Sequence, residues 1–163
     1  MNKPRALDLF CGAGGATRGL QLAGFHVTGV DHMPQPRYGG DVFHQADALR
    51  FSLDADAYDL IWASPPCQAY SVLRNLQNGK EYPDLIAATR ERLMAWMLET
   101  RRGESSGLPP SSRHYIIENV EAAPLGESGF LTMLCGTMFR LQTPDGRAEI
   151  RRHRLFETSF SIA

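Results

Sequence analysis

Cys67, in the run Pro65-Pro66-Cys67-Gln68, is the residue of this chain best mounted for covalent chemistry. Two successive prolines fix φ at about −65° and deny a strand its continuation, so the thiol that follows stands on a stiff loop beyond the apolar run 59–64. A cysteine that only fills core space needs no such mounting, although packing is the commoner fate of a lone cysteine. Ionised, such a thiol is a nucleophile. Glu118 closes a second apolar run, Ile116-Ile117-Glu118-Asn119-Val120, and offers a carboxyl able to hold or share a proton beside a substrate. The plain alternative is a strand-end glutamate facing water. In Arg152-His153-Arg154-Leu155-Phe156 the two arginines fall on one side of an extended segment, where their forked donors suit a carbonyl or a phosphate.

A fourth group has the character of a nucleotide site. Asp8-Leu9-Phe10-Cys11-Gly12-Ala13-Gly14-Gly15 runs from strand into helix, where bare backbone admits a ligand closely and helix N–H groups face it. It is not the dinucleotide fingerprint, because Thr17 stands where a third glycine or alanine belongs. Asp31 ends the next strand about 20 residues on, where a carboxylate can accept from both ribose hydroxyls. Asp47 follows a third strand in the same relation and can take an adenine amino hydrogen, since an ionised carboxylate only accepts. Singly, each aspartate suits a turn or a cap; with the glycine loop they describe a purine nucleoside site.

The elements that must position these residues alternate short β-rich runs with longer helical patterns, which predicts an α/β domain with a mainly parallel sheet and helices on both faces. Strands are expected over 6–10, 26–30, 42–45, 60–63 and 115–117, with later ones over 131–134 and 154–160. A helix is expected over 15–22, stopped at Gly24. A second, over 84–98, has Asp84 as its N-cap and Leu85, Ile86, Leu93, Met97 and Leu98 on its apolar face. Residues 75–83 and 101–113 have the composition of loops, the first a candidate lid or an ordinary connection.

With 163 residues, 43% hydrophobic and 21% charged, the chain has the composition of one ordinary globular domain. It lacks any apolar run of about 20 residues, the length that spans a bilayer, which leads to the expectation of a cytoplasmic protein without membrane contact. Three cysteines without C-x-x-C spacing give neither a disulfide framework nor a metal site. A net charge of −1 exerts no global pull on nucleic acid, so phosphate contacts would be local, and Arg147, Arg151, Arg152, His153 and Arg154 are the cluster available for them, or else a solvated face.

Taken together, these runs resemble the DNA cytosine-5 methyltransferase family: 8–15 its cofactor motif, Pro65 to Gln68 its nucleophile motif, Glu118 to Val120 its ENV motif, and Arg152 and Arg154 most of its Q-x-R-x-R motif. The order is the family's and the motifs span almost the whole chain. The resemblance implies a Rossmann-like S-adenosylmethionine-dependent methyltransferase fold over 1–163, with S-adenosylhomocysteine as product, no metal, and double-stranded DNA with a flipped cytosine as partner. It implies a place in DNA methylation or restriction-modification in a phage or bacterium. Carried over residue by residue, it puts Phe10, Gly12, Ala13, Gly15, Asp31, His32, Asp47, Ala48, Pro66 and Leu85 at the donor, and Cys67, Glu118, Arg152 and Arg154 at the base.

Two departures stand out. Ile150 occupies the place of the motif's glutamine, and Asp31 that of the family's usual glutamate. The resemblance includes no target-recognition domain and no final helix beside the first strand, which implies one half of a split enzyme with a second polypeptide for target recognition, a truncated form, or a compact phage-like enzyme. Two other functions stay open: the same chemistry on tRNA or a nucleotide, and a catalytically idle scaffold. Retention of both Cys67 and Glu118 opposes the last.

Overall fold

The computed structural model describes residues 3–54, 57–70, 82–99 and 113–162; the expected loops fall outside these apart from Tyr82, Pro83 and Arg113. The strands are β1 (Arg5–Leu9), β2 (His26–Asp31), β3 (Val42–Gln45), β4 (Leu60–Ala63), β5 (His114–Asn119), β6 (Phe130–Cys135) and β7 (His153–Thr158). They form one sheet in the order β3-β2-β1-β4-β5-β7-β6. The first five are parallel, and β7 runs antiparallel to both its neighbours.

Central strands covered on both faces must be apolar almost throughout, and β1 is buried from Ala6 to Leu9. Helix α1 (Gly15–Leu22) covers one face, its Leu20 clustering with Ala6, Val27 and Leu60. Helix α2 (Ile86–Leu98) covers the other, its Leu93 and Trp96 clustering with Leu7, Leu9, Ile61, Tyr115 and Ile117. Successive strand residues point to opposite faces, so the neighbours Ala6 and Leu7 belong to different clusters. Helix α1 ends as its glycine predicts: Gly24 takes φ 99°, and Phe25 N–H donates to Leu20 C=O at 3.1 Å while Gly24 N–H donates to Gln21 C=O at 3.0 Å.

Helix α2 ends at Leu98 as expected but departs from expectation at its start and in its buried face. Leu85 takes the cap position, and Asp84, one residue earlier, accepts the Ile86 N–H at 3.0 Å. The buried stripe is Ile86, Thr89, Arg90, Leu93 and Trp96, with the helical spacing of three and four, whereas Leu98 is 78% exposed. The stripe carries an arginine, which hides it from an apolar count.

That arginine is buried in a complete network. Arg90 Nε and Nη2 donate to the two Glu157 oxygens at 2.8 Å each, Nη1 to Glu127 at 2.9 Å and Nη2 also to Pro124 C=O at 2.7 Å. Glu157, 0% exposed, also accepts the Gly126 N–H at 2.7 Å and the Ser128 hydroxyl at 3.0 Å. Helix α2, the turn before β6, and β7 are thereby joined by charge-assisted bonds. At the sheet's far edge, β6 exposes Phe130, Leu131 and Met133. Among the described residues no helix is long and apolar enough to cross a membrane.

Breaking one side of a buried ion pair leaves the other charge uncompensated. Glu157→Gln is expected to lower unfolding stability by about 3 kcal/mol in a urea titration, and the double change Arg90→Met with Glu157→Leu to recover part of that loss. A single-variant loss below about 1 kcal/mol would remove the network from the fold's supports.

Candidate active site

From β1 the sheet grows one way through β2 and β3 and the other way through β4 and β5, so a crevice opens beyond the carboxyl ends of β1 and β4, where ligands bind in open α/β sheets. The loops leaving those strands are stapled together. Ser64 N–H donates to Leu9 C=O at 3.2 Å and Cys11 N–H to Val30 C=O at 3.1 Å. Phe10 at φ 60°, Gly12 at 50° and Gly14 at 96° turn the chain from β1 into α1; left-handed backbone is strained in a residue such as Phe10. A Cβ on Gly14 would lie 3.2 Å from the Tyr38 ring. At Gly15, by contrast, a Cβ would meet no protein atom within 4 Å, so open space lies in front of that backbone.

Asp31 is aimed by backbone donors. Gly12 N–H donates to Oδ2 at 3.0 Å and Met33 N–H to Oδ1 at 2.9 Å, which leaves each oxygen a further lone pair. His32 Nδ1 lies 3.4 Å from Oδ1.

A cleft of about 300 Å³ brings Phe10, Asp31, His32, Pro66 and Cys67 together with Glu118, Arg152 and Arg154. The antiparallel direction of β7 is what unites the last three. Glu118 ends a parallel strand while Arg152 and Arg154 lie at the start of the next, and the pairing of Glu118 with Phe156 sets the start of β7 beside the end of β5. Arg154 Nε binds Glu118 Oε1 at 2.7 Å, both side chains being three-quarters buried, and its Nη1 donates to His153 C=O at 2.8 Å. Arg152 is exposed, with no carboxylate partner among the described residues.

Other sequence-derived residues stand apart from this lining. Gly12 contributes its N–H to Asp31. Ala13 is exposed, its C=O accepting the Gly39 N–H at 3.3 Å. Asp47 stands beyond β3 at the same sheet edge, accepting the Leu49 N–H at 2.9 Å and lying 3.6 Å from Arg50. Ala48 is packed in the core beside α2, and Leu85 begins that helix. Ile150 donates its backbone N–H to Leu141 C=O at 2.9 Å, and its side chain has no hydrogen-bonding group to supply the motif glutamine's contact.

Four supporting residues, Asn119, Asp8, Thr17 and Tyr38, had no individual role assigned from sequence. Asn119, 2% exposed, donates its amide to Pro65 C=O at 2.8 Å and so fixes the loop carrying Cys67 to the end of β5; a polar residue in phase with buried Tyr115 and Ile117 was the available signal. Of the free thiols, Cys67 lines the cleft. Burial, reinforced by Asp8 and Asp31, pushes the Cys11 pKa up to about 12, and Cys135, at the end of β6, lies opposite His153 of β7. Under the glycine loop, Asp8 is wholly buried. The Thr17 hydroxyl donates to its Oδ2 at 2.6 Å and lies 3.0 Å from the Tyr38 hydroxyl, while Oδ1 has no partner among the described residues.

No family model matches the chain, and no curated protein matches it. Solved structures do. The Dnmt2 methyltransferase of S. pombe superposes with a TM-score of 0.60 at 17% identity, over 99% of this chain and 51% of that one. A SAM-dependent methyltransferase from Agrobacterium tumefaciens gives 0.55 at 16% identity, over 96% and 56%. An antibiotic-related methyltransferase gives 0.51 at 16% identity, over 97% and 88%. The fold is that of S-adenosylmethionine-dependent methyltransferases, and the chain spans about half the length of the first of these.

Desolvation raises the Asp8 pKa to about 6, against the Thr17 bond that lowers it. The folded carboxyl therefore keeps its proton up to about pH 6 while the unfolded chain releases it near 3.8, and stability falls as pH rises across that window. Asp8→Asn is expected to flatten this fall, by roughly 2–3 kcal/mol, in urea titrations between pH 4 and 7. Parallel curves for the two proteins would refute it.

Proposed function

We propose that the chain is an S-adenosylmethionine-dependent methyltransferase acting on C5 of cytosine in DNA, with Cys67 as the nucleophile. The observation that carries this reading is the meeting of Cys67, Glu118 and Arg154 in one cleft with Asp31, beyond the strands where this fold class binds its ligands. The donor suits the residues present: Asp31 has acceptor capacity for ribose hydroxyls, and open space at Gly15 admits a ligand against bare backbone. Bound there, S-adenosylmethionine supplies an electrophilic methyl group.

The residues at the base make that methyl reachable. C5 of cytosine is a weak nucleophile, and addition of the Cys67 thiolate at C6 turns the ring into an enamine nucleophilic at C5. Glu118 holds the N3 and amino edge and stabilises the proton that N3 takes as the adduct forms. Arg154 fixes Glu118 at 2.7 Å and retains Nη2 donors for the base carbonyl, with Arg152 as the second candidate. After transfer a water molecule takes the C5 proton, the C5–C6 double bond re-forms as the C6–S bond breaks, Cys67 leaves as the thiolate, and N3 gives up its proton to solvent. A base within a duplex must be flipped out to reach Cys67, and an unpaired base need not be.

Nucleoside mass spectrometry after incubation with methyl-labelled S-adenosylmethionine, in separate DNA and tRNA arms, is expected to show labelled 5-methylcytosine in DNA, abolished in Cys67→Ser. Equal transfer by that variant would end the thiolate mechanism, and label confined to tRNA would move the acceptor. In calorimetry Asp31→Ala should weaken donor binding by roughly 10-fold or more, the cost of charge-assisted bonds; unchanged affinity would refute its role.

A further inference from the structure

Tyr38, in the connection between β2 and β3, does not line the cleft and is surrounded by glycines. A Cβ at Gly29, within β2, or at Gly40 would run into its ring, and one at Gly14 would lie 3.2 Å from it. Glycine inside a strand weakens it and marks a close approach; here it admits an aromatic ring carried by another segment. On its remaining side the ring packs tilted against Phe43, with centroids 5.4 Å apart.

Filling space does not account for the hydroxyl. Thr17 gives its single proton to Asp8 Oδ2 at 2.6 Å, so across the 3.0 Å to Tyr38 the phenol is the donor. Burial pushes the Tyr38 pKa up to about 12, and the donated proton is kept at neutral pH. The connection that carries the ring is itself anchored. Asp41 accepts the Val27 N–H at 2.8 Å and the Gln21 amide at 3.1 Å, and Gly39 N–H donates to Ala13 C=O at 3.3 Å.

The glycine loop needs that support. Phe10 holds a left-handed φ of 60°, and strained backbone keeps its shape only where its surroundings over-determine it. The Gly12 N–H that aims Asp31 belongs to the same loop, so a loop held in place meets the donor already ordered, which lowers the cost of binding.

We propose that Tyr38 is a positioning residue for the methyl donor: lodged among Gly14, Gly29 and Gly40 and bonded to Thr17, it fixes the glycine loop in its binding shape and so sets donor affinity rather than the rate of transfer. This rests on the donor reading of the cleft given above.

The test is calorimetric titration of the full chain with S-adenosylhomocysteine, beside urea titrations of each variant. Tyr38→Phe, which keeps the ring and loses the proton, is expected to weaken binding about 5-fold, one hydrogen bond, and Tyr38→Ala roughly 10-fold or more, through ring and bond together. Gly29→Ala, which presses on the ring from β2, should weaken binding in the wild type and have little effect once Tyr38 is alanine, because both changes act through one contact. At saturating donor the transfer rate of Tyr38→Phe should stay within about 2-fold of wild type while KM for the donor rises. A ring that only fills space would lower urea stability, or the fraction of chain that binds, at unchanged affinity. Unchanged affinity in every variant that folds, or additive effects of Gly29→Ala and Tyr38→Ala, would overturn the proposal. Tyr38-dependent affinity without labelled 5-methylcytosine keeps the positioning role and removes the reaction proposed above, whereas a wild type that does not bind S-adenosylhomocysteine removes the donor site and the role of Tyr38 with it.

Discussion

The buried pair of Arg90 and Glu157 is the interaction on which the layout of this protein depends. Two charges removed from water are tolerated only when every donor and acceptor is met, and here the turn at 124–128 supplies the remaining partners. The geometry that satisfies them seats β7 between β5 and β6, against α2. Glu157 and Arg154 lie on opposite faces of that strand by alternation, so anchoring one through α2 presents the other to Glu118.

From that placement follows the meeting of elements far apart in sequence. Parallel strands deliver their carboxyl ends to one edge of a sheet, and Cys67 and Glu118 arrive there on β4 and β5. An arginine pair following another parallel strand would need a further crossover to reach them. Inserting one antiparallel strand brings its beginning to that edge instead, and the bonds from Ser64 to Leu9 and from Asn119 to Pro65 lock the loops into one frame. The side chains that line the cleft are thus mounted on the sheet itself, an arrangement that lowers the ordering cost of any ligand held there.

Much of this was legible in residue order. The strands over 42–45 and 60–63 fall where expected because apolar runs bounded by turn residues leave little choice, and Gly24 marks the end of α1 since a left-handed residue is needed there. What stayed hidden was polar burial. Arg90 breaks the apolar stripe of α2, so the pattern drifted to Leu98, which is exposed. Glu157 and Asn119 are buried polar residues whose partners lie 67 and 54 positions away, and single-sequence periodicity carries no information about such pairs. Cys67, Glu118 and the arginines were singled out by residue type and spacing and share one cleft, but the direction of β7 is a property of pairing, invisible until the sheet is assembled.

The open edge at β6 has a consequence for handling this molecule. Among the described residues one side of that strand has no neighbour in the sheet, and Phe130, Leu131 and Met133 put apolar surface on both of its faces, without the lysines or prolines that usually blunt an edge. Such a rim is a template for another extended chain. Self-association in concentrated solution would begin at this margin, one strand away from the β7 segment that brings Arg154 to the cleft.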